Sequence, residues 1–104
     1  MDKLQDVPLG NDIKIEFALT ACGFSMDDDD FLVRAYVSQK KIVEKEKRDL
    51  RRNDNNGKYI FTFSADEVGL GVCVFEAVAN VPDEDFDDGF RTEIVRQNVC
   101  RVIR

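Results

Sequence analysis

The chain contains no histidine and no tryptophan, and only three cysteines and two prolines in 104 residues. Without histidine there is no Ser–His–Asp triad, no Cys–His dyad, no imidazole general base and no histidine-containing metal site. Cys22, Cys73 and Cys100 form no C-x-x-C, which removes zinc ribbons and thioredoxin-type sites. An odd, widely spaced set permits one disulfide, but free thiols of a reducing compartment are the simpler reading. Gly69-Leu70-Gly71 lacks the third glycine and the Lys-Ser or Lys-Thr of a phosphate-binding loop. No stretch approaches the roughly 20 apolar residues of a membrane helix, and Met1 to Asp6 lacks the apolar run of a signal peptide. These absences predict a non-enzymatic protein with no membrane partner. It is expected to be cytoplasmic as synthesised, leaving the cell only if carried out inside a particle.

What is present builds one domain. The length leaves no room for two ordinary domains, and 43% hydrophobic residues are too many for a disordered chain. Eight phenylalanines point to a core keyed by that residue. The net charge of −6 opposes nucleic acid as a partner, because phosphates demand a basic face. The charges are unevenly placed. Residues 40–52 hold Lys40, Lys41, Lys45, Lys47, Arg48, Arg51 and Arg52 against Glu44, Glu46 and Asp49, while acids gather at Asp27 to Asp30 and Asp83 to Asp88.

Period-two patterning then lays out strands. After a polar lead-in over residues 1–10, Ile13, Ile15, Phe17 and Leu19 alternate with polar neighbours. Phe31 to Ser38 sets Phe31, Val33, Ala35 and Val37 on one face and Leu32, Arg34, Tyr36 and Ser38 on the other. The charged segment from Lys41 reads as an exposed edge strand, where lysines discourage edge-to-edge pairing. Asn53-Asp54-Asn55-Asn56-Gly57 is a turn, followed by a strand carrying Tyr59, Phe61 and Phe63. Ser64-Ala65-Asp66-Glu67 fits a capping box and one helical turn ended by Gly69. Val72 to Ala79 is a nearly continuous apolar run and reads as the most central strand, with two further strands at 91–95 and 98–103. The predicted core comprises Ile13, Ile15, Phe17, Leu19, Phe31, Val33, Val37, Tyr59, Phe61, Phe63, Val72, Val74, Phe75 and Val78. About seven short strands with turns imply an all-β, immunoglobulin-like antiparallel β-sandwich with one short helical turn, occupying residues 11–104.

Three local features carry functional expectations. Asp83-x-Asp85-x-Asp87 offers alternate oxygen ligands of the kind calcium prefers. Gly89 falls one place late for an EF-hand and Ile94 stands where the bidentate Glu belongs, so the candidate is an irregular inter-strand site built from Asp83, Asp85, Asp87 and Asp88. The basic segment has no interleaved aromatics to stack bases; opposed to the acidic loops, it suggests head-to-tail self-association. Cys73 and Cys100 read as buried small apolar residues, and Cys22 as the accessible thiol.

Several turns carry a resemblance. Gly10-Asn11-Asp12-Ile13-Lys14-Ile15, Asn56-Gly57-Lys58-Tyr59, Phe61 to Glu67 and above all Val81-Pro82-Asp83-Glu84-Asp85-Phe86-Asp87-Asp88-Gly89-Phe90-Arg91-Thr92-Glu93 resemble small immunoglobulin-like modules of phage tail and baseplate proteins and their prophage relatives. That resemblance implies a structural or attachment role, with protein as partner (itself or other particle components) and no transferable site residues. A calcium-dependent adhesion or carbohydrate-binding module stands as the alternative.

Overall fold

The computed structural model describes residues 4–104 and is a sandwich of two β-sheets. Eight strands follow in chain order: β1 (Gln5–Pro8), β2 (Asp12–Phe17), β3 (Phe31–Tyr36), β4 (Ile42–Glu46), β5 (Arg51–Arg52), β6 (Tyr59–Ser64), β7 (Gly71–Pro82) and β8 (Phe90–Ile103). One sheet has the order β1-β8-β7-β3-β4 and the other β2-β6-β5. β3–β4, β5–β6 and β7–β8 are neighbours within a sheet, and the remaining connections cross from one sheet to the other.

The core sits where the alternating patterns place it. Phe61 and Val33 are fully buried, and Ile13, Phe17, Phe31, Tyr59, Phe63 and Phe75 join them. Burying one such side chain contributes about 1.5–3 kcal/mol, so the aromatic cluster dominates the driving force. Phe17 of β2 packs against Phe75 of β7 across the two sheets, with ring centroids 5.1 Å apart and the rings tilted by 49°. Phe31 and Tyr59 meet edge to face at 5.3 Å, the geometry that aromatic quadrupoles favour.

Four local expectations change in the structure. Residues 5–8, within the expected polar lead-in, form β1, which pairs in parallel with β8 through Gln5–Cys100 and Val7–Val102; the sandwich is therefore not wholly antiparallel. The lead-in residues 1–3 lie outside the described residues. The two expected strands after residue 90 are one, because a bulge between Cys73 and Val74 absorbs Val99 and keeps the ladder running from Phe90 to Ile103. A second 3-10 turn, Lys47–Asp49, adds to the capped turn Ala65–Glu67. In the latter, the Ser64 backbone N–H donates to Glu67 Oε1 at 2.9 Å and Ser64 Oγ accepts from the Asp66 N–H at 3.3 Å.

The fourth change concerns the apolar run. Cys73, Phe75, Ala77, Ala79 and Val81 point into the core, and they are small apart from Phe75 because the opposed aromatics fill the space. Val72, Val74 and Val78, expected in the core, alternate onto the outer face and are only half-buried. Ile15, Leu19 and Val37 pack partly buried against the core margin. Gly71 opens β7 at φ +124°, where an added Cβ would lie 2.8 Å from Val37 Cγ1, so both backbone and packing require glycine there.

Candidate functional site

The outer face of the larger sheet carries a pattern that the strand register creates. Arg34 of β3 pairs with Glu44 of β4 and with Glu76 of β7, and Glu76 pairs with Arg96 of β8. Directly paired residues point to the same side of a sheet, so Glu44, Arg34, Glu76 and Arg96 form one row across four strands with alternating sign. Ion pairs run its whole length: Arg34 Nε to Glu44 Oε1 at 2.6 Å, Arg34 Nη1 to Glu76 Oε2 at 2.8 Å, and Arg96 Nε to Glu76 Oε1 at 2.6 Å. The Tyr36 hydroxyl adds a longer contact to Glu76 Oε1 at 3.3 Å.

Glu76 is the centre of this row and the one buried charged residue among the described residues. Its side chain is 7% exposed, while Arg34, Glu44 and Arg96 reach solvent at 33%, 48% and 62%. Desolvation alone would raise the Glu76 pKa. The hydrogen bond from Arg34 outweighs it and, with Arg96, holds the carboxyl below its ordinary range. Glu76 is thus a fixed anion. Hydrogen bonds to Glu44 first and Glu76 second raise the pKa of Arg34, and the one to Glu76 raises that of Arg96.

Apolar rows flank the charged one. Leu32, Val78 and Ile94 stand in register on one side, and Ile42, Tyr36 and Val74 on the other. Ile42 and Ile94 are 43% and 50% exposed despite being large aliphatic side chains in regular strands. A shallow, open depression of about 730 Å³ lies over Glu76, edged by Arg34, Tyr36, Gln39, Ile42, Glu44 and Arg96. At a protein contact, aliphatic area supplies affinity and complementary charges fix the orientation.

The residues singled out for calcium lie elsewhere, in the β7–β8 hairpin loop. Asp83 Oδ2 takes a 2.8 Å ion pair from Arg91 Nη1, and its Oδ1 accepts from the Asp85 backbone N–H at 3.0 Å. Asp88 Oδ1 caps the Phe90 backbone N–H at 3.1 Å. The Asp85 N–H first, and Arg91 second, hold the Asp83 carboxyl below its ordinary pKa. Asp83, Asp85, Asp87 and Asp88 are not drawn together as a ligand set, and no metal-holding group of acids or cysteines occurs among the described residues.

Part of the basic segment is tied to its own chain, while Lys40, Lys41, Arg48 and Arg51 stay exposed. Lys47 Nζ donates to the carbonyls of Asp27 and Asp29 at 2.9 and 2.8 Å and sits 5.8 Å from the Phe31 ring centroid. Arg52 pairs with Asp27 at 3.1 Å. Lys45 crosses from β4 to the Thr62 carbonyl of β6 at 3.0 Å, tying the two sheets together. One ion pair, Arg52 to Asp27, thus joins the basic segment to the first acidic run, while Asp83 of the second run pairs with Arg91 instead.

Cys73 lies directly opposite Cys100 in the β7–β8 ladder, a neighbourhood that sequence spacing concealed. Both are buried free thiols; burial pushes the Cys73 thiol up to about 12 and raises that of Cys100. They are packing residues rather than nucleophiles. Cys22 is exposed.

Comparison with protein families, curated proteins and solved structures finds no match to this chain. The face around Glu76 is the candidate site. Sequence reasoning missed that face, although one signal was present: a lone Glu in the middle of the apolar run 72–79.

Proposed function

We propose that this chain is a non-enzymatic binding and assembly module that meets another protein through the outer face of its five-stranded sheet. The observation that carries the reading is the row Glu44–Arg34–Glu76–Arg96, centred on a buried anion and bordered by exposed Ile42 and Ile94. General acid chemistry needs a carboxyl whose pKa is raised toward the working pH. Glu76 is pushed the other way, and the chain has no histidine to share the task. A binding face asks for what is present: a rigid sheet, side chains already fixed by one another, and apolar area still open to water. The phage-tail resemblance supplies a setting consistent with this, a particle in which repeated subunits meet through fixed surfaces.

The reading is tested by placing a photo-crosslinking residue at Ile94 or Ile42, and separately at Thr62 or Lys14 on the smaller sheet, in the producing cell. Cross-links to a discrete protein are expected from positions 94 and 42 and not from 62 and 14. Cross-links from the smaller sheet alone, or from none of the four, contradict it.

A further inference from the structure

The geometry points to a second copy of this chain as the occupant of the face, bound across a twofold axis that runs parallel to the strands between β3 and β7. This rests on the reading of that face as a contact surface. The four charged residues occupy β4, β3, β7 and β8 in that spatial order and read minus, plus, minus, plus. An alternating row with an even number of members changes sign when its order is reversed. A twofold axis lying in the contact plane and parallel to the strands reverses that order in the second copy. Glu44 then lies opposite Arg96 of the second copy and Arg34 opposite its Glu76, so every charge meets its opposite. The exposed ends matter most, because Glu44 and Arg96 have the most solvent to give up, at 48% and 62% exposure against 33% for Arg34.

The flanking rows lie at fixed heights along the strands, so under the same operation each row meets its own reverse. Leu32 faces Val78 of the second copy, and Tyr36 faces its Val74, which gathers the apolar contact at the axis. Farther out, Ile94 comes opposite Glu46 of the second copy and Ile42 opposite its Asn98, so the margin is mixed. An axis across the strands would instead put Glu44 on Glu44 and Arg96 on Arg96. Closed twofold pairing through one self-complementary patch is the commonest oligomeric solution. Sheets packed face to face stand about 10 Å apart, a gap that Arg and Glu side chains span from both sides. Because the row is already ion-paired within each chain, little side-chain ordering remains to oppose association.

The test uses charge reversal with mixing. Light scattering of the full chain is expected to give twice the 11.9 kDa chain mass at about 100 µM, the range of a weak but specific complex. Glu44→Arg alone and Arg96→Glu alone each create two like-charge contacts across the axis, and each is expected to weaken dimerisation at least about tenfold. An equimolar mixture of the two variants restores an opposite-charge contact between positions 44 and 96 on both sides of the axis. It is expected to yield a heterodimer resolved by native mass spectrometry, and that rescue also shows that both variants are folded. A native chain that stays monomeric, single variants that dimerise like the native chain, or a mixture that gives no heterodimer overturns the second-copy assignment. A monomeric chain that still cross-links from Ile94 to a different protein overturns only this assignment. Absence of any cross-link from Ile94 and Ile42 removes the face reading with it.

Discussion

The molecule sets carboxylates beside arginine in two regions that look alike in composition and differ in consequence. The β7–β8 loop holds five acids within six residues, 83–88, yet Asp83 is satisfied by one arginine and its own loop backbone, and its neighbours stay in water. The sheet face holds a single acid in β7, but that acid is buried and gripped by two arginines from different strands. The number of charges says little about a site. What matters is the desolvation each charge suffers and the partners that offset it.

The sharpest way to break this comparison is to remove each acid in turn. Glu76→Ala leaves Arg34 and Arg96 facing each other across the row and is expected to cost about 2–3 kcal/mol, less than a fully buried pair because both arginines reach solvent. Asp83→Ala, at the solvated loop, is expected to shift the denaturation midpoint far less. Denaturant titration of both variants checks the order, and equal losses would erase the distinction between the regions.

A smaller effect follows from pH. The folded-state pKa of Glu76 is lowered, so its contribution is fully present above the unfolded carboxylate value of about 4.3 and is lost as pH falls through the lower folded value. Melting curves taken downward from about pH 5 should show a fall that Glu76→Gln flattens, whereas Asp83→Asn keeps the greater part of it. An unchanged slope in Glu76→Gln would mean that the buried anion is not what acid titrates. The smallest effect concerns calcium: millimolar calcium is expected to leave the melting temperature unchanged, because a ligand stabilises only a folded state that binds it. A rise that disappears in Asp83→Asn would return the loop to the status of a metal site.

Much of the fold was legible because half-buried strands announce themselves. The alternations in 13–17 and 31–36 placed Phe17, Phe31 and Val33 in the core, the lysine-rich segment took the edge position of β4, and the Ser64–Glu67 box formed as patterned. The apolar run of β7 was ambiguous by nature, since a continuous run does not say which side faces the second sheet. Val72, Val74 and Val78 consequently stood on the wrong side of the expectation. Pairing of β1 with β8 joins residues 5 and 100, a contact with no local signature. The candidate site was hidden for the same reason. Arg34 and Arg96 lie 42 and 20 residues from Glu76, and only the register of three strands sets them in one row.

The most direct test of the central claim is oxidative footprinting of β8, read by mass spectrometry in the assembled and the diluted protein. Ile94 and Val95 are adjacent, are 50% and 49% exposed, and point to opposite faces, since Val95 pairs with core-facing Ala77; Phe86 in the acidic loop is 48% exposed. The account predicts that assembly protects Ile94 while Val95 and Phe86 continue to be oxidised. Protection of Phe86 or Val95 with Ile94 unchanged would contradict it.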